Sequence, residues 1–265
     1  MALSRRRYLF ASAAMLLTLG VNGCSYAASE TTKAINKEGK TIVYVVGTIH
    51  SGHLDSTDYS LAILERAIRK ANPDQIIAEI PPDRLAEAWR GFRKNGVVSE
   101  PRVRIFPEYR DVIFPLSKSM KFEIVPAAGW TQQLSDYRDK ALNRISKDPA
   151  RAAQWRAHQT AQAAYSRAVG ARDDDPLYIH TAQYDALVKA AQNPYETYFE
   201  EDLGQGGWKT INAAHIRLIN KALDRISGQE KTVWITFGSW HKYMILKDLV
   251  TRKDVILADS RSLFQ

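Results

Sequence analysis

Five short apolar runs constrain this chain more than any other feature, because each is too short for a helix and rich in β-branched residues. They cover Thr41–Val46, Asp74–Glu79, Lys121–Val125, Thr232–Phe237 and Asp254–Leu257, and runs of this kind suit buried strands. Helical patterns separate them. Residues 57–71 place Leu61, Leu64, Ala67, Ile68 and Ala71 on one face before Asn72-Pro73. After Pro81-Pro82, Asp83 can cap a helix through Leu85, Ala88, Trp89 and Phe92 toward Gly96. Further helical stretches fall at about 107–120 and 240–251. The alternation predicts an α/β fold: a mostly parallel central sheet of about five strands, flanked by helices and built by right-handed crossovers.

The pattern changes at about residues 131–227, which carry almost no strand signal. This stretch predicts an all-helical insertion of about four helices over one end of the sheet. Its breaks are expected at Asp148-Pro149, Asp173–Pro176, Asn193-Pro194 and Gly204–Gly207, and its many arginines read as a solvated face.

Residues 1–28 have the three parts of an export signal: basic Arg5, Arg6 and Arg7, an uncharged stretch from Tyr8 to Val21, then small residues. Ser4-Arg5-Arg6-Arg7-Tyr8-Leu9 is similar to the twin-arginine pattern, which implies a bacterial source. Val21-Asn22-Gly23-Cys24 resembles a lipobox, with Cys24 as the lipidation site and membrane anchor, while Tyr26-Ala27-Ala28 offers a rival cleavage site. A periplasmic protein or an outer-membrane lipoprotein is therefore expected. Residues 29–40 read as a polar tether and 41–265 as one α/β domain. The formal charge of +8 would suggest nucleic acid. The leader, however, contributes three arginines and no acid, so the mature balance falls to +5 and no nucleic-acid partner is expected. With one cysteine there is no internal disulfide and no thiolate metal site, so any metal needs histidine and carboxylate ligands. The oligomeric state stays open.

Two segments share a shape: Gly47-Thr48-Ile49-His50 and Gly238-Ser239-Trp240-His241 each follow an apolar strand. Glycine there would permit unusual backbone angles at a tight exit, and each histidine would stand at the carboxyl edge of a parallel sheet, where ligands bind. Glu79 ends a third apolar run at the same edge. A buried carboxylate in that position must be paired, hydrated or bound to a cation. Two imidazoles and a carboxylate can hold a divalent metal with a site open for water, or one histidine paired to Glu79 can act as a general base on an ester or amide. Arg84 could hold a substrate carboxylate or a developing oxyanion. Trp130 follows a further strand exit and could line a pocket or anchor the core. His53 is an added loop candidate. His158, His180 and His215 fall on insertion helices, where packing or exposure is the expectation, and Asp259 would orient a histidine or cap a turn.

These blocks, Gly47/His50, Glu79 with Arg84, and Gly238/His241, resemble the TIKI/TraB/GumN and erythromycin-esterase/ChaN-like superfamily, in order across most of residues 41–259. Members of that superfamily include metal-dependent proteases, macrolide esterases and haem-binding lipoproteins. The resemblance implies a hydrolase using a divalent metal (Mn, Co or Zn) held by His50, Glu79 and His241, acting on a peptide or small-molecule ester. It also implies a substrate contact at Asn212, although the arginine that accompanies this asparagine in the family is missing from Thr210-Ile211-Asn212. The alternatives it leaves are a metal-independent esterase and a surface carrier of metal or haem. A haem ligand would be one of these histidines or a tyrosine such as Tyr178, Tyr184, Tyr195 or Tyr198.

Overall fold

The computed structural model describes residues 38–265, so the export signal, Cys24 and the tether up to residue 37 lie outside the described residues. The elements run β1 (Thr41–Thr48), a 3-10 turn (His50–Leu54), α1 (Leu61–Ala71), β2 (Gln75–Ala78), α2 (Leu85–Asn95), α3 (Pro101–Arg104), a π-helical turn (Glu108–Ile113), α4 (Phe114–Leu116) and β3 (Glu123–Pro126). They continue with α5 (Gln132–Lys147), α6 (Ala152–Val169), α7 (Pro176–Ile179), α8 (Ala182–Leu203), α9 (Trp208–Asp224), β4 (Thr232–Gly238), α10 (Lys242–Leu249) and β5 (Val255–Leu257).

All five strands pair in parallel in the order β3-β2-β4-β1-β5, giving the α/β architecture that the apolar runs predict. Successive side chains point to opposite faces of a strand. Val46, Ile76, Ala78, Ile124 and Trp234 accordingly pack with Leu64 and Ile68 of α1 and Phe92 of α2. Val43, Val45, Ile77, Val125, Val233 and Ile235 pack on the other face with Ile219 and Leu223 of α9 and Ile245 and Leu249 of α10. β1 and β4 are neighbours, yet the helix after β1 covers one face and the helix after β4 covers the other. The chain thus leaves two adjacent strands in opposite directions, which opens a crevice at their carboxyl ends. Register sets Thr48 beside Gly238 and Ala78 beside Thr236, so the exits of β1, β4 and β2 are level.

Residues 131–227 contain helices only. They build a separate apolar cluster from Ala141, Ile145, Tyr195, Phe199, Leu203 and Trp208, packed against Trp240 and Tyr243 just beyond β4. The insertion therefore roofs the carboxyl edge. One expected break is absent, since α8 runs through Asn193-Pro194 without interruption. Proline removes a helical hydrogen bond and loosens the preceding turn. Here the Gln162 side chain donates to the Ala191 carbonyl in that turn at 3.1 Å, and the burial of Tyr195, Phe199 and Leu203 holds the rest of the helix down.

Two other boundaries also differ from expectation. The first helix begins at Leu61 rather than residue 57, because Tyr59 is buried with its hydroxyl donating to the Gly47 carbonyl at 3.0 Å. The stretch at 107–120 is a π-helical turn followed by the three-residue α4. Among the described residues no helix is long and apolar enough to cross a membrane.

Candidate functional site

Glu79 stands one residue beyond β2 and is buried. Its Oε2 accepts the Gly238 amide at 2.8 Å, and its own N–H donates to the Tyr109 hydroxyl at 3.0 Å. Burial raises the affinity of its carboxyl for a proton, while the positive field of His50 and the Gly238 amide work against that rise.

His241 is the residue from which α10 starts, and its ring is locked in one tautomer. The Asn212 amide donates to the Trp208 carbonyl at 2.7 Å, one turn back on α9, which leaves Asn212 Oδ1 facing the imidazole. His241 Nδ1–H donates to that oxygen at 2.8 Å. In the neutral ring Nε2 is therefore the bare lone pair, and it points at Glu79 Oε1 3.8 Å away. Trp208 stacks on the ring at 4.7 Å. Burial, then the neighbouring His215, His50 and Arg138, push the pKa of His241 well below the usual value, so the imidazole is neutral.

His215 on α9 completes the cluster. It is fully buried, its Nδ1 accepts the Gly129 amide at 2.7 Å, and its Nε2 has no partner. Burial pulls its pKa down to about 3. With Nδ1 occupied as an acceptor, the proton of the neutral ring sits on Nε2. Glu79, His215 and His241 offer ligand atoms that all lie within 4.8 Å of one another, a spacing that could hold a metal ion. As they stand, Glu79 and His241 present lone pairs to a cation. His215 offers a donor that an oxygen ligand satisfies directly, and that a cation would have to displace.

His50 takes a different role from the one the sequence suggests. Its Nδ1 lies 2.6 Å from Glu108 Oε1, and Thr48 Oγ1 donates to the same oxygen at 3.1 Å. Burial alone would lower the imidazole, but the hydrogen bond and charge of Glu108 outweigh it and hold His50 above its usual value. Glu108 is correspondingly held below the carboxylate range by His50 despite its own burial. Both shifts favour the charged form of the pair. Glu108 reaches it because the wide π-helical turn sends two consecutive residues, Glu108 and Tyr109, inward, both with no exposure.

The two Gly-x-x-His segments interlock. A Cβ on Gly47 would lie 2.8 Å from the Ser239 Cα, and a Cβ on Gly238 would lie 2.6 Å from His50 Nε2. Neither glycine has a positive φ; the residue that does is His50, at +50°. The expected reason for these glycines, unusual backbone angles, is therefore replaced by another: each segment needs a missing side chain so that the other can fit against it.

Over this edge runs a cleft of adjoining cavities of about 420, 400 and 200 Å³. Glu79, Trp130 and Arg138 join the first to the third, while Gln192, Trp208, Trp240 and His241 join it to the second, which His50 lines. A larger depression of about 800 Å³ opens at the opposite edge, near Asp74 and Glu123, and no histidine lines it.

Of the other candidates, Trp130 lines the cleft beneath Arg138, at 5.4 Å. Asn212 is buried behind His241 and orients it. Arg84 pairs with its neighbour Asp83 at 3.1 Å. His53 is buried and ties down its own loop, with Nδ1 2.6 Å from the Tyr59 carbonyl and Nε2 accepting the Ile49 amide. His180 accepts the Gly47 amide, bracing β1, and His158 lines the cleft. Asp259 caps the final turn and pairs with Arg261. Among the tyrosines, Tyr184 and Tyr195 line the cleft, Tyr178 is buried beneath Arg172, and Tyr198 is exposed.

Sequence reasoning missed Glu108 and placed His215 among packing residues. The signal for His215 was its spacing, since Asn212 and His215 are three apart and share a helix face. No family model, curated protein or solved structure matches this chain.

Proposed function

We propose that this chain is a hydrolase of peptide or ester bonds that uses a divalent cation held by Glu79 and His241, with His215 facing the same site. The observation that carries this reading is the buried set of three ligand atoms within 4.8 Å, placed at the carboxyl edge and opening on the cleft. A divalent cation there would supply Lewis-acid polarisation and a more acidic water.

The chain's own residues supply the rest. Asn212 keeps His241 Nε2 unprotonated. Glu79 takes the proton of the attacking water as the water's oxygen adds to the carbonyl carbon. His215 Nε2–H donates to the oxygen that gains charge. His50, kept as an imidazolium by Glu108, gives its Nε2 proton to the departing nitrogen or oxygen when that bond breaks. The resemblance to TIKI/TraB proteins supports the same class of reaction. An exported, lipid-anchored protein remains part of the reading.

Elemental analysis of protein lacking residues 1–28 tests it. Wild type should carry Mn, Co or Zn, Glu79→Gln and His241→Ala should carry none, and His50→Ala should keep its metal while losing about 10²-fold or more in hydrolysis. Metal-free wild type, or loss of metal from His50→Ala alone, would sink the assignment. Titration of the same protein with haemin separates the carrier alternative, because a Soret band bleached in His241→Ala belongs to a haem site.

A second expectation concerns the tautomer lock. Asn212→Leu keeps the volume roughly but frees His241 Nδ1, and should weaken metal binding about 10–100-fold. Competition with a chromophoric chelator measures it, and an unchanged affinity would remove Asn212 from the site.

A further inference from the structure

We infer that the smallest lobe of the cleft is a carboxylate subsite, formed by Arg102 and Arg138, that receives the C-terminal carboxylate of a peptide. Arg102 comes from α3 and Arg138 from α5, elements far apart in the chain, yet both side chains line the same cavity of about 200 Å³. Arg102 Nη1 and Arg138 Nε are buried and have no hydrogen-bond partner. Among the described residues neither guanidinium forms an ion pair. A buried charged donor without a partner is costly. The Arg138 side chain also hydrogen-bonds Tyr195, yet neither guanidinium is ion-paired and both line one cavity, which calls for an anion with several acceptor oxygens; guanidinium forks fit a planar carboxylate best.

The surroundings favour a peptide. Glu79 lines the same lobe, so an anion held there lies next to the reacting edge. Ser135 adds a hydroxyl to the lining. Trp130 joins the lobe to the larger cavity, where Trp155, Trp208 and Tyr195 offer flat apolar walls to the residues that precede the carboxylate. The anchors are well held. Glu100 caps α3 by accepting the Val103 amide at 2.8 Å, and Arg138 rests over the Trp130 ring at 5.4 Å. This inference rests on the hydrolase reading only for what happens next, cleavage close to the C-terminus; the anion site itself does not depend on a metal.

Trp130 provides the readout, through quenching of tryptophan fluorescence by Ala-Ala, by its C-terminal amide Ala-Ala-NH2, and by inorganic phosphate. Ala-Ala should bind, the amide should bind at least tenfold more weakly, and Arg102→Gln and Arg138→Gln should each reduce Ala-Ala binding about tenfold or more while keeping the metal content and melting temperature of wild type. Equal binding of acid and amide, or unchanged binding in both variants, would overturn the subsite. Binding of phosphate with no response to Ala-Ala would overturn the peptide assignment. His241→Ala separates the two levels, since it should lose metal and still bind Ala-Ala. If wild type carries no metal but discriminates acid from amide, the hydrolase reading fails and the subsite stands.

Discussion

Gly47→Ala is expected to destabilise the fold by about 2–3 kcal/mol, the upper part of the usual range for overpacking, and to lower the melting temperature by several degrees. The added methyl would meet the backbone Cα of Ser239 at 2.8 Å, and backbone cannot swing away as a side-chain tip can. Ser239 has no slack to give, because its amide donates to the Thr48 carbonyl at 2.9 Å and its hydroxyl pairs with Tyr184 at 2.8 Å. Gly238→Ala makes the instructive contrast. Its methyl meets the ring edge of His50 at 2.6 Å, a group that can move only by breaking its bond to Glu108. This variant should keep more of its stability and lose the raised pKa of His50, which a proton NMR titration of the imidazole reads directly. A Gly47→Ala protein that melts with wild type would show that the two segments are not in register as described.

The second large effect is on acid stability in the metal-free protein. His215 has a folded pKa of about 3 against an ordinary 6.5. The unfolded chain therefore takes up a proton below pH 6.5 that the folded chain refuses, and stability falls as pH falls from 6.5 toward 3. Between pH 6.5 and 4 the loss from this one residue is about 3 kcal/mol. His241, also pushed down, adds in the same direction. Glu79 opposes them, because its raised carboxyl takes up a proton in the folded state before the unfolded state does. The His50–Glu108 pair has its own window: its contribution is complete between about pH 4.5 and 6.5, fading above as His50 loses its proton and below as Glu108 gains one. Urea unfolding of wild type and His215→Gln at pH 7, 5 and 4 tests the larger slope. Glutamine can still accept the Gly129 amide but does not titrate, so its curve should fall less steeply by about the amount given. Parallel curves would mean that His215 is not buried as a neutral ring.

What could be read in the sequence follows a physical division. The five strands were legible because burial on both faces of a parallel sheet demands continuous β-branched runs, and such runs leave little else for those residues to be. The level exits of β1 and β4 were legible for the same reason, since Gly and His recur at one offset from each run. Glu79 stood out as a carboxylate at the end of an apolar stretch. Glu108 did not, because an acid after Pro107 at a helix start reads as a surface residue near a helix N-terminus. Only the π-helical turn sends it inward, and that widening leaves no residue signature. His215 looked like any polar residue on an insertion helix. Its importance comes from the Gly129 amide, which belongs to a distant strand exit. The purpose of Gly47 and Gly238 was read as freedom of angle, whereas it is a close approach between segments almost two hundred residues apart. Pro194 misled for a related reason, since the burial of the helix beyond it outweighs one lost hydrogen bond.

The interlocked segments bear on how the protein must move. The cleft that Glu79 and His241 line could widen at its floor, between strands, or at its roof. Here the floor cannot hinge, because Gly47 sits against Ser239 and Gly238 against His50, leaving no slack between β1 and β4. Breathing is left to the roof, where α5, α6 and α8 close over the cleft through Leu142, Trp155, His158 and Gln192 rather than through the sheet. Loading and release are therefore expected to depend on the parting of these three helices, α5, α6 and α8, over a floor that stays still.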